Sequence, residues 1–226
     1  MHSAQLTEYP LFSTLSPEEA TRLARVTQEK QYKKYEFVYR FGEDAKHIHI
    51  VVAGEVKLGY AGADGREIIR AVVRPHALFG QTALSGGGPR DGFAQCLSRE
   101  NVVLQMPIAE VQALMRQNFG LCQLLLQNLS QQLQTAQNRL TSVVMLDART
   151  RIINFLQDTV RTSGQKVGFE YLIRHCLTHQ DIANITCTSR QTVTLVLNEL
   201  RKENLIYFNR GRILVRDMDE LLASAA

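Results

Sequence analysis

The sequence predicts an α+β protein in three parts: a β-roll behind a short N-terminal helix, a long central helix, and a C-terminal winged helix-turn-helix. Three observations predict it. Apolar residues alternate between glycine-marked turns over residues 47–73, an apolar residue recurs every three or four positions over 122–143, and two capped amphipathic segments over 178–202 precede a short alternating hairpin. The boundaries that follow are 1–106 for the roll, 107–146 for the central helix and hinge, and 147–226 for the winged domain. With 226 residues, 45% of them apolar, the chain can bury a full core as one or two domains.

The first element is a helix start at Ser16-Pro17-Glu18-Glu19, with Ser16 as cap, Pro17 at the first helical position and acidic residues in the first turn. From His47 the apolar positions Ile48, Ile50 and Val52 alternate, Gly54 interrupts, and Val56, Leu58 and Tyr60 alternate again. Asp64-Gly65 then supplies a hairpin turn before Glu67–Val73. Short strands joined by glycine turns imply a barrel or roll.

Pro107 reads as the opening of the long helix. Cys122, Leu126, Leu129, Leu133, Ala136, Leu140 and Val143 recur at spacings of 4, 3, 4, 3, 4 and 3, a heptad a/d seam of a parallel dimer. The alternative for such a stripe is packing within one chain; the strict repeat and the Gln/Asn-rich outer surface favour the coiled coil. Val144-Met145-Leu146-Asp147 is the expected junction to the last domain.

Thr178 with Asp181 has capping-box spacing at the start of a helix whose inner face is Ile182 and Ile185, with Ala183 small enough for a second helix to cross closely. The chain turns near Cys187, and Thr188 or Ser189 caps the second helix. There Val193, Val196, Leu197 and Leu200 form one face, while Arg190, Gln191, Thr194, Asn198 and Arg201 lie largely on the other. After Leu205, alternation around Asn209-Arg210-Gly211 reads as a wing with Arg210 and Arg212 at its tip.

Such a pair of helices is a device for reading DNA, because an arginine in the first turn of the second helix can offer guanine O6 and N7 a bidentate pair. Two amphipathic helices also occur in domains that never touch DNA. The wing and the charge distribution favour the DNA reading: residues 148–216 carry 11 Lys/Arg against 5 Asp/Glu, whereas residues 1–147 carry 15 against 14.

Other classes find little support. Paired carboxylates, a Ser-His-Asp set and a phosphate-cradling glycine loop are missing, so the chain does not read as an enzyme. No apolar run is long enough to span a bilayer and the start does not resemble a signal peptide, so a cytoplasmic protein is expected. Cys96, Cys122, Cys176 and Cys187 are scattered, suggesting neither disulfides nor a thiolate metal site. His175-Cys176 with His179 lacks a fourth ligand and an orienting acid, so no metal is assigned.

Over essentially its whole length the chain resembles the Crp/Fnr family of bacterial transcription regulators. The resemblance rests on Phe41-Gly42-Glu43 followed by His47–Leu58, on Leu78-Phe79-Gly80, on the seam helix, and on Thr188–Val193 followed by Leu200 and Asn204-Leu205-Ile206. It implies a homodimer on a two-fold symmetric operator, with RNA polymerase as a further partner and an effector site in each roll. The implied DNA contacts are Thr178, Thr188, Ser189, Arg190, Gln191, Thr194, Leu195, Asn198, Arg201, Arg210 and Arg212, with Arg190 at the guanine-reading position. Gln191 stands where many members have glutamate and Leu195 where many have a second arginine, so the half-site is expected to differ from the best-known one.

The implied effector pocket comprises Gly80, Gln81, Thr82, Ala83, Arg90 and Asp91, and there the sequence departs from the cyclic-nucleotide binders. Those resemble one another in a glycine-glutamate pair that holds the ribose and an arginine followed by serine or threonine that holds the phosphate. Here the pairs are Gly80-Gln81 and, after Gly86-Gly87-Gly88-Pro89, Arg90-Asp91, or Asp91-Gly92 one residue later. A carboxylate repels phosphate and an amide is a weaker acceptor for two hydroxyls, so an effector other than cyclic AMP is expected. The alternative is a constitutive or architectural DNA binder whose pocket is filled. An iron–sulfur cluster is not indicated, since no N-terminal cysteine group exists and Cys96 stands alone. Haem on His76, or on His47 and His49, is weaker than their reading as surface or hydrogen-bonded histidines. Cys187 occupies a turn position where the family usually has glycine; a tolerated small residue is favoured there over a redox role.

Overall fold

The computed structural model describes residues 6–62, 67–86, 88–209 and 211–224. The chain divides into two compact units, Met1–Thr135 and Ala136–Ala226. The expected hairpin turn at Asp64-Gly65, the wing-tip Arg210, and Gly87 lie outside the described residues.

In the first unit, helix α1 (Pro17–Val26) begins with a full capping box: Ser16 Oγ accepts from the Glu19 N–H at 3.2 Å and the Glu19 carboxylate accepts from the Ser16 N–H at 2.8 Å. Among the described residues eight strands follow: β1 (Gln28–Lys33), β2 (Phe37–Tyr39), β3 (His47–Ala53), β4 (Val56–Ala61), β5 (Glu67–Val73), β6 (Leu78–Phe79), β7 (Phe93–Cys96) and β8 (Glu100–Pro107). They form two antiparallel sheets in the orders β1-β8-β3-β6 and β2-β7-β4-β5. The two sheets enclose Tyr39, Val51, Val56, Leu58, Phe79, Ala94, Cys96 and Val103.

Strand β3 alternates as its sequence predicts, but both of its faces are covered. Ile48 and Ile50 turn outward under α1 and the helices that follow the roll, in a cluster with Phe12, Leu23, Val111, Leu114 and Leu121. His49 and Val51 turn into the roll. At Gly54 the backbone takes φ +87, and a Cβ there would meet the Asn101 side chain at 2.3 Å, which explains the glycine between β3 and β4.

Pro107 does not open the long helix. It caps a separate helix, α2 (Ile108–Met115), and the long helix α3 runs from Phe119 to Met145. The break has a visible cause: Asn118 Oδ1 accepts from the Leu121 N–H at 2.9 Å, while its Nδ2 donates to the Thr14 carbonyl and to the Glu19 carboxylate. On α3, Leu121 and Leu125 are buried in the roll's outer cluster, whereas Leu126, Leu129, Leu133, Leu140 and Val143 are exposed, Leu140 by 68%.

In the second unit, Asp147 caps α4 (Ala148–Ser163) through the Thr150 N–H at 2.7 Å. Strands β9 (Gln165–Val167) and β10 (Glu170–Arg174) precede α5 (His179–Thr186) and α6 (Arg190–Lys202). Strands β11 (Ile206–Asn209) and β12 (Arg212–Val215) and helix α7 (Met218–Ala223) complete it, with the sheet ordered β11-β12-β10-β9. The β11–β12 ladder, Ile206 opposite Val215 through Asn209 opposite Arg212, is the hairpin expected for a wing.

Candidate functional site

Helices α5 and α6 are set by their caps. Thr178 Oγ1 accepts from the Asp181 N–H at 3.1 Å and the Asp181 carboxylate accepts from the Thr178 N–H at 2.9 Å, so the capping box read from the sequence is present. Ser189, rather than Thr188, caps α6, accepting from the Thr192 N–H at 3.0 Å. Between the helices Cys187 is exposed and left-handed, with φ 51 and ψ 51. A non-glycine residue in that conformation costs on the order of 1 kcal/mol.

Of the second helix, Val193, Val196, Leu197 and Leu200 are buried. Ser189, Arg190, Gln191, Leu195 and Arg201 are exposed, and Thr188, Thr194 and Asn198 are half-buried. The polar stripe at the start of α6 therefore faces outward with Arg190 in its first turn. Thr194 is partly committed within the protein, since its hydroxyl meets the Arg190 carbonyl at 2.9 Å and His179 Nδ1 at 3.0 Å. Arg201 lies over the Phe208 ring at 5.2 Å, and exposed Arg212 sits opposite Asn209 in the wing.

Three arginines missed by the sequence reading hold this reader together. Arg151 donates from Nε to the Thr186 carbonyl at 2.9 Å, from Nη2 to that of Cys187 at 3.0 Å and from Nη1 to that of Leu146 at 2.6 Å. It thereby satisfies carbonyls at the end of α5 that have no partner within the helix. Arg139 donates to the Ile185 carbonyl; burial makes its charged form less favourable than usual. Arg149 pairs with Glu199 and Glu203, each at 2.9 Å, joining α4 to α6. Two carboxylates four residues apart, Glu199 on α6 and Glu203 capping its end, were the local signal for Arg149; nothing local marks the other two.

In the first unit the expected effector residues separate. Thr82 and Asp91 are exposed, Ala83 packs with the outer cluster, and Gln81 and Arg90 are buried. Gln81 Nε2 reaches Asn128 Oδ1 on α3 at 3.4 Å. Arg90 turns into the roll, where Nη1 donates to the Gly80 carbonyl at 3.0 Å, Nη2 donates to the His47 carbonyl, and the guanidinium lies 4.2 Å from the Tyr39 ring centroid. Asp91 does not turn in with it; its carboxylate accepts from the Tyr60 hydroxyl at 3.4 Å.

His49 stacks on Phe79 with centroids 5.0 Å apart, and its Nδ1 is buried without a hydrogen-bond partner. Burial, then the neighbouring Arg90, hold its pKa well below the ordinary histidine value, so it is neutral. His76 is exposed and packs against Tyr9, so it does not share the roll interior with His49. Among the described residues, no group of three His, Cys, Asp or Glu side chains is placed to hold a metal.

Comparison with known proteins agrees with this geometry in both units. Residues 29–118 match the model of the cyclic nucleotide-binding domain, and residues 150–224 match that of the Crp-like helix-turn-helix domain. The chain belongs to the Crp/Fnr family. It is a DNA-binding transcription regulator. The CRP-like cAMP-activated global transcriptional regulator of Mycobacterium tuberculosis (strain CDC 1551 / Oshkosh) is 24% identical over 215 residues, 95% of this chain and 96% of that one. The global nitrogen regulator of Synechococcus elongatus is 29% identical over 189 residues, 83% and 85% of the two chains. The structure of FixK2 from Bradyrhizobium japonicum, 22% identical, superposes with a TM-score of 0.79 over 89% of this chain and 98% of that one, a likeness of fold.

For a Crp/Fnr regulator, the notable feature is the interior of the roll. Gly80, the first residue of the implied effector pocket, is left-handed at φ +77, and a Cβ on it would lie 2.9 Å from Arg90 Nη1 and 3.2 Å from His49 Nδ1. Backbone and arginine are thus fitted to each other. Among the described residues no helix is long and apolar enough to cross a membrane.

Proposed function

We propose that this regulator acts in the cytoplasm as a homodimer on a two-fold symmetric operator, with a sensor roll closed by its own Arg90 and unfit for cyclic AMP. The carrying observation is the guanidinium of Arg90, 5% exposed and committed to the carbonyls of Gly80 and His47. Although its buried Nε has no hydrogen-bond partner, an arginine whose two terminal nitrogens already bond carbonyls gains less from a phosphate, because binding would first break those charge-assisted hydrogen bonds. Gln81, directed at Asn128, cannot supply the carboxylate that a ribose-binding glutamate would.

The exposed apolar row on α3, Leu126, Leu129, Leu133, Ala136, Leu140 and Val143, supports dimerisation through a coiled-coil seam, since a lone helix would not leave that row in water without cost. Cys122 belongs to the same repeat but is half-buried, with its thiol against the Met115 carbonyl at 3.1 Å. In the reader, Arg190 is assigned to guanine, and the helix caps, Gln191, Asn198 and the wing arginines Arg210 and Arg212 to phosphates and flanking bases. RNA polymerase is the further partner such a regulator would take, and no catalytic activity is assigned.

A second reading, a constitutive DNA binder with no effector, is favoured by the same closed arginine. Selection of duplexes from a random library by the purified protein, without added ligand, tests both. Recovery of a symmetric site supports the dimeric reader and the constitutive form together; recovery only when a cell extract of small molecules is present supports an effector; recovery of asymmetric or unrelated sequences contradicts the proposal.

A further inference from the structure

His179 was not among the residues the sequence marked for DNA. The half-buried side chain joins all three parts of the reader: it starts α5, its Nδ1 lies 3.0 Å from Thr194 Oγ1 on α6, and its ring meets the Phe208 ring of the wing edge-on at 6.0 Å. The hydrogen bonds fix its tautomer. Thr194 has one hydroxyl proton, and that proton is directed at the Arg190 carbonyl at 2.9 Å. The Thr194 oxygen therefore accepts from His179, which places the ring proton on Nδ1 and the lone pair on Nε2.

The surroundings then decide the charge. On α6, Arg190 is the cation that acts on the ring, while Arg201 lies over the Phe208 ring; the wing contributes that apolar Phe208 ring; on its own helix Asp181 is committed to the Thr178 cap. Burial, then Arg190, hold the His179 pKa below the ordinary histidine value. In the free protein the ring is neutral near pH 7. Bound DNA reverses that balance, because the first helix of such a reader crosses the phosphate backbone, and the negative potential of the phosphates favours a charged imidazole and offsets the repulsion from Arg190.

We propose that His179 makes DNA binding proton-linked: as the duplex docks, Nε2 takes up a proton and the imidazolium faces a backbone phosphate. The inference rests on the DNA-reading assignment of α5 and α6. Taking up the proton leaves the Nδ1–H bond to Thr194 intact, so the reader's geometry is the same before and after. Binding tightens as the pH falls, and the tightening is independent of sequence because it is made with phosphate.

The test is the affinity of the full-length protein for a labelled random-sequence duplex at fixed salt across the histidine range, with calorimetry in buffers of different ionisation enthalpy to count protons. One phosphate at contact distance shifts a pKa by about one unit, so between about pH 8 and about pH 5.5 each wild-type head should gain up to about tenfold more affinity than a His179→Gln head, and a dimer with both heads engaged up to about a hundredfold. Net proton uptake should be present in the wild type and lost in the variant. His179→Arg, permanently charged, should bind at high pH about as tightly as the wild type does at low pH, with a flattened profile. Equal pH profiles for wild type and His179→Gln, no proton uptake by the wild type, or an arginine variant weaker than the glutamine variant would each overturn the inference. If the wild type binds no duplex at any pH, the DNA-reading assignment itself fails.

Discussion

The Arg90 guanidinium donates to the Gly80 carbonyl at 3.0 Å, and the left-handed backbone at Gly80 leaves no room between them for a side chain. Two residues that the family resemblance implied for an effector pocket are thus each other's partners.

Gly80→Ala should therefore be costlier than a glycine substitution where only backbone conformation matters. Gly42 provides the comparison: its φ is +80, but a Cβ would meet nothing within 4 Å. Gly42→Ala is expected to destabilise by about 1 kcal/mol and Gly80→Ala by about 2–3 kcal/mol, the excess reflecting displaced Arg90 and His49. Denaturant unfolding of the two variants measures the difference, and equal losses would mean that Arg90 is not held against the Gly80 backbone.

Neutral His49 predicts an acid-sensitive roll. Its folded pKa is depressed by burial, so above the unfolded value of about 6.5 its contribution is fully present, and as the pH falls below that the unfolded chain binds the proton preferentially. Stability should decline between about pH 6.5 and about pH 5, and His49→Leu should decline less over that window. Parallel melting curves for the two proteins at each pH would contradict the assignment.

The seam on α3 makes a separate prediction. Leu133 is 60% exposed in the single chain, so Leu133→Asp should leave the fold of the protomer intact. In a dimer the same carboxylate would be buried without a partner, at a cost of several kcal/mol, on the order of that for other unpaired interfacial charges. Sedimentation should report a monomer with weakened DNA binding; a dimer as tight as the wild type would place the interface elsewhere.

Arg190 opens α6 exposed and directed outward. Arg190→Ala should cost about 1–3 kcal/mol on the selected site and flatten discrimination at one base pair. Binding to the selected site and to a guanine-substituted copy decides it: equal losses on both would reduce Arg190 to a phosphate contact.

How much of this was legible in the sequence varies with how local the cause is. The Ser16 cap, the capping box at Thr178–Asp181, the buried row Val193–Leu200 and the wing hairpin arise from neighbours along the chain, and spacing reveals them; that Glu19 completes a second box with Ser16 was not read. The break before α3 was passed over because apolar periodicity runs on through Leu114 and Leu121; Asn118 carried the signal, but its decisive bonds go to Thr14 and Glu19, about a hundred residues away. The alternation of β3 identified a strand without revealing that the His49 face is the roll interior. Inward folding of Arg90, and the grip of Arg139 and Arg151 on the α5 terminus, depend wholly on tertiary contacts.

The central claim, that Arg90 closes the sensor against cyclic AMP, is tested most directly by calorimetric titration of the purified protein with that nucleotide. The account predicts no binding heat at about 10 μM protein, conditions in which a ligand worth about 8 kcal/mol would half-saturate near 1 μM. A sub-micromolar dissociation constant for unmodified cyclic AMP would contradict it.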